Sequence, residues 1–252
     1  MYRSAYGGRV PLTSSTQRRI GTGIHVLTAS GAVAGLIALQ RVYDGHVRAA
    51  LLWLVVCQIL DGIDGPIARR YDASLHANHI DGHVLDLVVD YVTCVVVPTA
   101  ILLKLEMVGS RYGTLLAGAI LLTSALWFAK TEQETGDNWF NGFPAMWNIV
   151  IPSFLVLGAS PRTVFVGSVF FCFLQLTNIQ FPHIVKAPAM RRMTVAVTIL
   201  YFGCLIALSA QYPSHPGWER AVVLVAPAYL CFLVTWRALA PDRTIFGRSV
   251  RA

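Results

Sequence analysis

The chain has 252 residues, of which 55% are hydrophobic and 13% are charged, and its formal net charge is +7. Ordinary soluble domains carry about 25% charged residues, so this composition excludes a typical soluble enzyme. In a membrane protein a positive balance reflects orientation in the bilayer, and we therefore expect no nucleic-acid partner.

Apolar segments separated by short polar connections predict an all-α polytopic membrane protein, a bundle of about eight transmembrane helices. The predicted helices cover residues 20–40, 47–69, 82–103, 113–130, 145–158, 162–181, 193–211 and 219–239. The fifth has only about 14 residues, fewer than the roughly 20 of a full span, so we expect it to be tilted, extended or partly re-entrant. The first is longer than the apolar core of a signal peptide, about 7–15 residues, and is expected to remain in the protein.

The absence of repeats and of a soluble segment in the sequence predicts one membrane domain over residues 1–252. Within it, residues 1–19 and 240–252 flank a bundle of residues 20–239. With the N-terminus inside, 14 of the 20 lysines and arginines fall on the cytoplasmic side and the other 6 on the outer side. The positive-inside rule then predicts that both termini face the cytoplasm.

Four aspartates lie at the cytoplasmic ends of the second and third predicted helices, where carboxylates are costly and therefore indicate function. Asp61 and Asp64 are three residues apart and Asp86 and Asp90 are four apart, so each pair lies on one helix face. Converging carboxylates repel one another unless divalent cations lie among them, and oxygen ligands favour Mg²⁺ or Mn²⁺. Arg69 beside them suggests a phosphate-bearing substrate.

The connection at residues 130–147 combines acidic and aromatic residues with glycine and proline. That mixture predicts an ordered loop that shapes the mouth of a pocket. A solvated loop whose aromatic rings lie at the membrane interface explains the same composition.

Several other polar residues have structural interpretations. His76, His79 and His83 lack the spacing of a metal motif, and a solvated connection between the second and third helices explains His76 and His79. Arg191 and Arg192 are interpreted as anchors at the lipid headgroups, with phosphate binding as the alternative. Five cysteines inside predicted helices, without a CxxC pair, indicate packing residues: Cys57, Cys94, Cys172, Cys204 and Cys231.

The acidic pattern resembles the signature of the CDP-alcohol phosphotransferase family, Asp-x2-Asp-Gly-x2-Ala-Arg followed by Gly-x3-Asp-x3-Asp. All eight signature residues are present, namely Asp61, Asp64, Gly65, Ala68, Arg69, Gly82, Asp86 and Asp90. The interval of residues 70–81 is longer than in most members and is similar to that of a bacterial branch whose acceptor is choline. Residues 25–32 and 137–148 are also similar to that branch, and the resemblance covers about residues 20–190.

The resemblance implies an enzyme of the bacterial inner membrane, with a cytoplasmic active site, that converts CDP-diacylglycerol and choline into phosphatidylcholine and CMP. It implies two divalent cations, Mn²⁺ or Mg²⁺, with these ligands: Asp61, Asp64, Asp86 and Asp90. It implies a CDP and phosphate site formed by Asp61, Gly65, Ala68, Arg69 and Gly82. Asp90 is the expected general base for the choline hydroxyl, and the division of Asp90 between base and metal ligand stays open.

Choline carries a quaternary ammonium, which proteins hold with aromatic faces and negative charge. The aromatic candidates are Tyr91, Trp139, Phe140, Phe143 and Trp147. The candidate counter-charges are Glu132, Glu134 and Asp137. Packing in an interfacial aromatic belt explains each of these rings equally well.

Other acceptors and another function class remain as alternatives. Serine is the closest competitor of choline, whereas glycerol phosphate and inositol phosphate would need further basic groups near an acidic, aromatic loop. A cation transporter would scatter its acids over several helices at mid-membrane depth, unlike this cluster. The expected partners are thus the two substrates and membrane lipid, and the sequence is compatible with a homodimer.

Overall fold

The computed structural model describes residues 14–71, 80–183, 190–214 and 217–239. Within them the chain forms eight helices, α1 Ser14–Tyr43, α2 Val47–Arg70, α3 Gly82–Lys104, α4 Ser110–Phe128, α5 Trp147–Val156, α6 Pro161–Gln175, α7 Arg191–Gln211 and α8 Gly217–Leu239. Five of them, α1 to α4 and α7, are long and apolar enough to cross a membrane, and α5, α6 and the Val223–Leu239 part of α8 are shorter apolar helices. The all-α polytopic membrane fold is confirmed.

The predicted fifth helix is short, as expected, and runs from Trp147 to Val156. The prediction of a sixth helix over residues 162–181 was wrong at its end, because α6 stops at Gln175. The Lys130 ammonium donates hydrogen bonds to the backbone carbonyls of Gln175 at 2.9 Å, Thr177 at 3.0 Å and Asn141 at 3.1 Å. The bonds to Gln175 and Thr177 satisfy carbonyls that a longer helix would have paired internally, and the bond to Asn141 joins the end of α6 to the 130–147 loop.

A small antiparallel sheet joins the 130–147 loop to the segment after α6. Its strands are β1, Trp139–Asn141, and β2, Gln180–Pro182, with Phe140 opposite Phe181. Gly142 follows β1 with φ of +86°, and a Cβ there would lie 2.6 Å from the Gln175 carbonyl oxygen. Only glycine fits this close, left-handed turn. The loop is therefore ordered, although the sheet itself was not predicted.

Helix α3 is not uniform along its length. It is α-helical over Gly82–Asp90, π-helical over Tyr91–Val96 and α-helical again over Val97–Lys104. Asp81 caps its N-terminus, since its carboxylate accepts the backbone N–H groups of His83 and Val84 at 3.0 and 3.1 Å. Pro98, which has no N–H to donate, follows the π-helical turn. The π-helical turn, which is wider than an α-helical one, begins directly after Asp90.

The helices α1, α2 and α3 pack together and hold the signature residues. Small residues allow this close approach, because a Cβ on Gly31 would lie 3.0 Å from Val89 Cγ1 and one on Gly35 would lie 3.2 Å from Val97 Cγ2. Large apolar side chains on the outer surface of the bundle are exposed, as lipid-facing residues are, among them Leu115, Leu122, Phe173 and Ile199.

Candidate active site

A narrow cleft between α1, α2 and α3 contains all four signature aspartates. It is lined by Thr28, Gly31, Cys57, Asp61, Asp64, Asp86, Val89, Asp90 and Thr93. Carboxylate oxygens of Asp61, Asp86 and Asp90 all lie within 4.8 Å of one another. Asp64 lines the same cleft and is only 6% exposed. The carboxylates expected to converge therefore lie together.

Helical periodicity explains how the cleft forms. On α2, Cys57, Asp61 and Asp64 follow one another at spacings of four and three residues, which places them on one face. On α3, Asp86 and Asp90 form a similar pair, and the carboxyl groups of Asp61 and Asp90 are hydrogen-bonded across the two helices. The cleft is thus built from two facing acidic stripes, closed on the third side by α1.

The donor set fits a hard divalent cation. Oxygen ligands about 2.1 Å from a cation are at most about 4.2 Å from one another, so the 4.8 Å cluster needs only small side-chain rotations to share one. Asp61 is exposed and Asp86 and Asp90 are half-buried, which leaves the cluster open to an incoming ion. Among the described residues near the cluster, the only sulfur that lines the cleft belongs to Cys57, whose thiol is directed at the Gly31 carbonyl 3.8 Å away. Carboxylate oxygen favours Mg²⁺ or Mn²⁺ over softer metals.

Gly65 and Arg69 occupy one surface of the last turns of α2. The guanidinium of Arg69 folds back over Gly65, and its Nη1 lies 3.2 Å from where a Cβ on Gly65 would be. Ala68 is half-buried beside them. In the structure this chain's own guanidinium lies in the space next to Gly65, and the place of Gly65 and Ala68 in a nucleotide site stays a prediction. Gly65 thereby lets an exposed cation lie along the helix that carries Asp61 and Asp64.

Gly82 similarly accommodates a side chain of the protein. A Cβ on Gly82 would lie 2.8 Å from Cε1 of His25, closer than carbon atoms approach without displacement. The glycine therefore allows the His25 ring to pack against the first turn of α3. The place of Gly82 in a nucleotide site likewise stays a prediction.

The residues predicted to bind choline are mostly engaged in packing. Trp139 and Trp147 are fully buried, and the Trp147 indole donates a hydrogen bond to the Ser124 hydroxyl at 2.9 Å. The Tyr91 hydroxyl donates to the Leu121 carbonyl at 3.0 Å. Phe143 packs against Phe171 and Phe181, with ring centroids 4.5 and 5.6 Å apart. Their role in choline binding stays a prediction, and packing is what the structure describes.

Arg237, near the end of α8, occupies much of the predicted acidic and aromatic surface. Its guanidinium lies 4.9 Å from the ring centroid of Trp139 and donates to Asp137 and Gln180, each at 2.7 Å. Burial alone would raise the pKa of Asp137, but hydrogen bonds from Thr135 and Arg237 and the charge of Arg237 hold it below its ordinary value. Asp137 is thus the counter-charge of Arg237.

The remaining candidates lie outside the cleft. Glu132 and Glu134 are exposed, and Phe140 stacks on His183 with centroids 5.2 Å apart. Within the described part of the chain, the cleft lining includes none of the predicted choline-binding residues. His83, Arg191 and Arg192 are exposed, whereas His76, His79 and Lys186 lie outside the described residues. All five cysteines lie among the described residues, and none of them forms a disulfide.

Sequence reasoning missed five residues of the cleft lining, Thr28, Gly31, Cys57, Val89 and Thr93. Three of them could have been found, since Cys57 lies four residues before Asp61, Val89 three residues after Asp86 and Thr93 three residues after Asp90. Thr28 and Gly31 belong to a helix without acids, so only the packing of α1 on α2 and α3 reveals them.

Comparison with known proteins places this geometry in a family. A family model described as CDP-alcohol phosphatidyltransferase matches residues 24–240. The phosphatidylcholine synthase of Pseudomonas aeruginosa is 33% identical over 216 residues, 86% of this chain and 91% of that protein. The phosphatidylcholine synthase of Bradyrhizobium diazoefficiens is 34% identical over 237 residues, 92% of this chain and 84% of that protein. The phosphatidylcholine synthase of Brucella melitensis is 30% identical over 221 residues, 87% of this chain and 79% of that protein. The chain belongs to the CDP-alcohol phosphatidyltransferase family.

Proposed function

We propose that the protein transfers the phosphatidyl group of CDP-diacylglycerol to choline and releases CMP. The observation that carries the proposal is the convergence of Asp61, Asp86 and Asp90 at the family's signature positions. The choice of choline is supported by the similarity to phosphatidylcholine synthases over most of the chain.

The site would hold two Mg²⁺ or Mn²⁺ ions through its four aspartates, Asp61, Asp64, Asp86 and Asp90. When bound, the cations neutralise charge on the diphosphate and stabilise the departing CMP. The two aspartates of each helix are positioned by helical spacing alone, so the ligand set is largely preorganised. The buried Asp64 lies deepest of the four and is the least free to rotate.

Asp90 accepts the proton of the choline hydroxyl in this mechanism. The choline oxygen then forms a bond to the phosphatidyl phosphorus, and the bond from that phosphorus to the CMP oxygen breaks. Arg69 binds a phosphate oxygen with its guanidinium fork, which Gly65 allows to lie along α2. Arg69 on α2 would bind the diphosphate directly, whereas Asp61 on α2 and Asp86 and Asp90 on α3 would hold the cations that neutralise its charge, so that the diphosphate lies between α2 and α3.

Of the residues predicted to bind choline, Tyr91 and Glu132 are our candidates for direct contact. Tyr91 follows Asp90 in α3, and Glu132 carries an exposed carboxylate. Trp139, Phe143 and Trp147 would support the site through packing.

We further propose one membrane domain over residues 1–252, with a cytoplasmic active site in the bacterial inner membrane. A homodimer stays a prediction.

A comparison of acceptor alcohols tests the proposed function. Purified protein in lipid vesicles is given CDP-diacylglycerol, a divalent cation and one labelled alcohol at a time, choline, serine, inositol or glycerol phosphate. We expect labelled phosphatidylcholine and stoichiometric CMP with choline, and little product with the others. Faster turnover with serine would overturn the choline assignment and leave the phosphatidyl transfer intact. Absence of CMP release with every alcohol would overturn both.

A further inference from the structure

His25 lies at the edge of the aspartate cleft. It precedes by three residues Thr28, which lines the cleft, so the two side chains share a face of α1. Its ring packs on Gly82, whose Cβ would lie 2.8 Å from Cε1 and 3.4 Å from Nδ1. Gly82 in turn precedes by four residues Asp86, which also lines the cleft. His25 is therefore one helical turn from the cleft residue Thr28 on α1, and its ring contacts a glycine that is one helical turn from the cleft residue Asp86 on α3.

One of the two nitrogens of this ring, Nε2, has no hydrogen-bond partner among the described residues. His25 is 6% exposed, and its Nε2 makes no hydrogen bond within the part of the chain that the structure describes. A buried nitrogen of this kind costs free energy, whereas a leucine would fill the same space without that cost. A partnerless donor beside a catalytic cleft is therefore explained best by a ligand group.

We propose that His25 is a substrate-binding residue whose Nε2–H donates a hydrogen bond to a phosphate oxygen of the CDP-activated lipid. The inference rests on the proposed function. An anionic oxygen suits the donor, whereas the trimethylammonium head of choline cannot accept a hydrogen bond. His25 on α1 and Arg69 on α2 would then contact the diphosphate from two helices, and Gly82 would provide the space for the ring.

The experiment is titration calorimetry of purified protein with CDP in the presence of Mg²⁺. His25→Leu keeps a side chain of similar size and removes the donor, and His25→Gln keeps an N–H donor at a similar reach. Thr99→Val is the matched control, because Thr99 is another buried residue whose hydroxyl lacks a partner among the described residues, nine positions beyond Asp90 on α3.

We expect His25→Leu to weaken CDP binding about tenfold or more and to raise the KM for CDP-diacylglycerol by a similar factor. The KM for choline should stay unchanged, His25→Gln should recover most of the affinity, and Thr99→Val should bind CDP as the wild type does. Equal CDP affinity in wild type and His25→Leu would overturn the inference and leave the proposed function standing. Equal weakening in the Leu and Gln variants would also overturn it, because ring packing would then explain the loss. A wild-type protein that fails to bind CDP would overturn both.

Discussion

Asp90 differs from the other aspartates in its position, since it lies last in the acidic stripe of α3 and directly before the π-helical turn. Asp90→Asn keeps the shape of the side chain and removes the base. We expect kcat to fall about 10²–10⁴-fold while the KM for CDP-diacylglycerol changes little. Asp44→Asn, at an exposed position after α1, is the control and should leave kcat unchanged. Loss of cation and CDP binding instead would show that Asp90 is chiefly a ligand.

Gly82 offers a second test at the scale of single residues. Gly82→Ala places a methyl group 2.8 Å from the His25 ring, so we expect a lower thermal midpoint and weaker CDP binding. In a His25→Ala background the same glycine change should cost much less stability, because the conflicting ring is gone. An equal loss of stability in both backgrounds would contradict a conflict between the new methyl group and the His25 ring. Equally weakened CDP binding in both backgrounds would indicate that Gly82 makes room for the substrate instead.

The sequence was most informative where a short-range rule determines geometry. The spacings of three and four residues predicted that Asp61 and Asp64, and Asp86 and Asp90, share faces, and the structure brings all four into one cleft. The place of His25 against Gly82 depends on how α1 packs, which no local spacing determines. The burial of Trp139 and Trp147 likewise depends on tertiary packing, because an aromatic residue in a polar loop suits both an interface and a core.

Among the elements, the 130–147 loop is joined to the segment after α6 by the Lys130 side chain. Lys130→Met removes the donor that binds the carbonyls of Asn141, Gln175 and Thr177. We expect the variant to lose about 2–4 kcal/mol of stability, measured as a lower thermal midpoint in detergent. Lys104→Met is the control, because the Lys104 side chain is exposed and its ammonium contacts one ring, that of Tyr43. Equal midpoints for the two variants would contradict this role of Lys130.

The irregular elements were the least predictable ones. The π-helical turn after Asp90 lies in an apolar run that is equally compatible with a regular α-helix. Pro98, just after the turn, was the one residue of that run that indicated an irregular helix. The strands β1 and β2 have three residues each and are separated by 38 residues, from 142 to 179, so no hairpin pattern indicates their pairing. The longer helices were predictable, because their apolar length is itself the signal.

For the whole molecule, the contacts of Arg237 bear on the proposed orientation. They join the end of α8 to Asp137 in the 130–147 loop and to Gln180 in β2, so these segments lie at one end of the bundle. In a variant without native cysteines, single cysteines in residues 70–81, 130–140 and 240–252 should react only with reagent added on the cytoplasmic side. A cysteine at Asp44, between α1 and α2, should react from outside. Labelling of the 70–81 segment from outside would reverse the proposed orientation.

The central prediction for the whole molecule is that the carboxylate cluster performs a cation-dependent transfer. The direct measurement is CMP release and phosphatidylcholine formation by purified protein in lipid vesicles, with CDP-diacylglycerol and choline, with Mg²⁺ or Mn²⁺ and then with excess chelator. Asp61→Ala and Asp86→Ala are measured beside the wild type, because both residues contribute to the three-carboxylate cluster. We expect turnover with the cation, and a loss of at least about a hundredfold with chelator and in each variant. Near-normal turnover in chelator or in either variant would contradict the account.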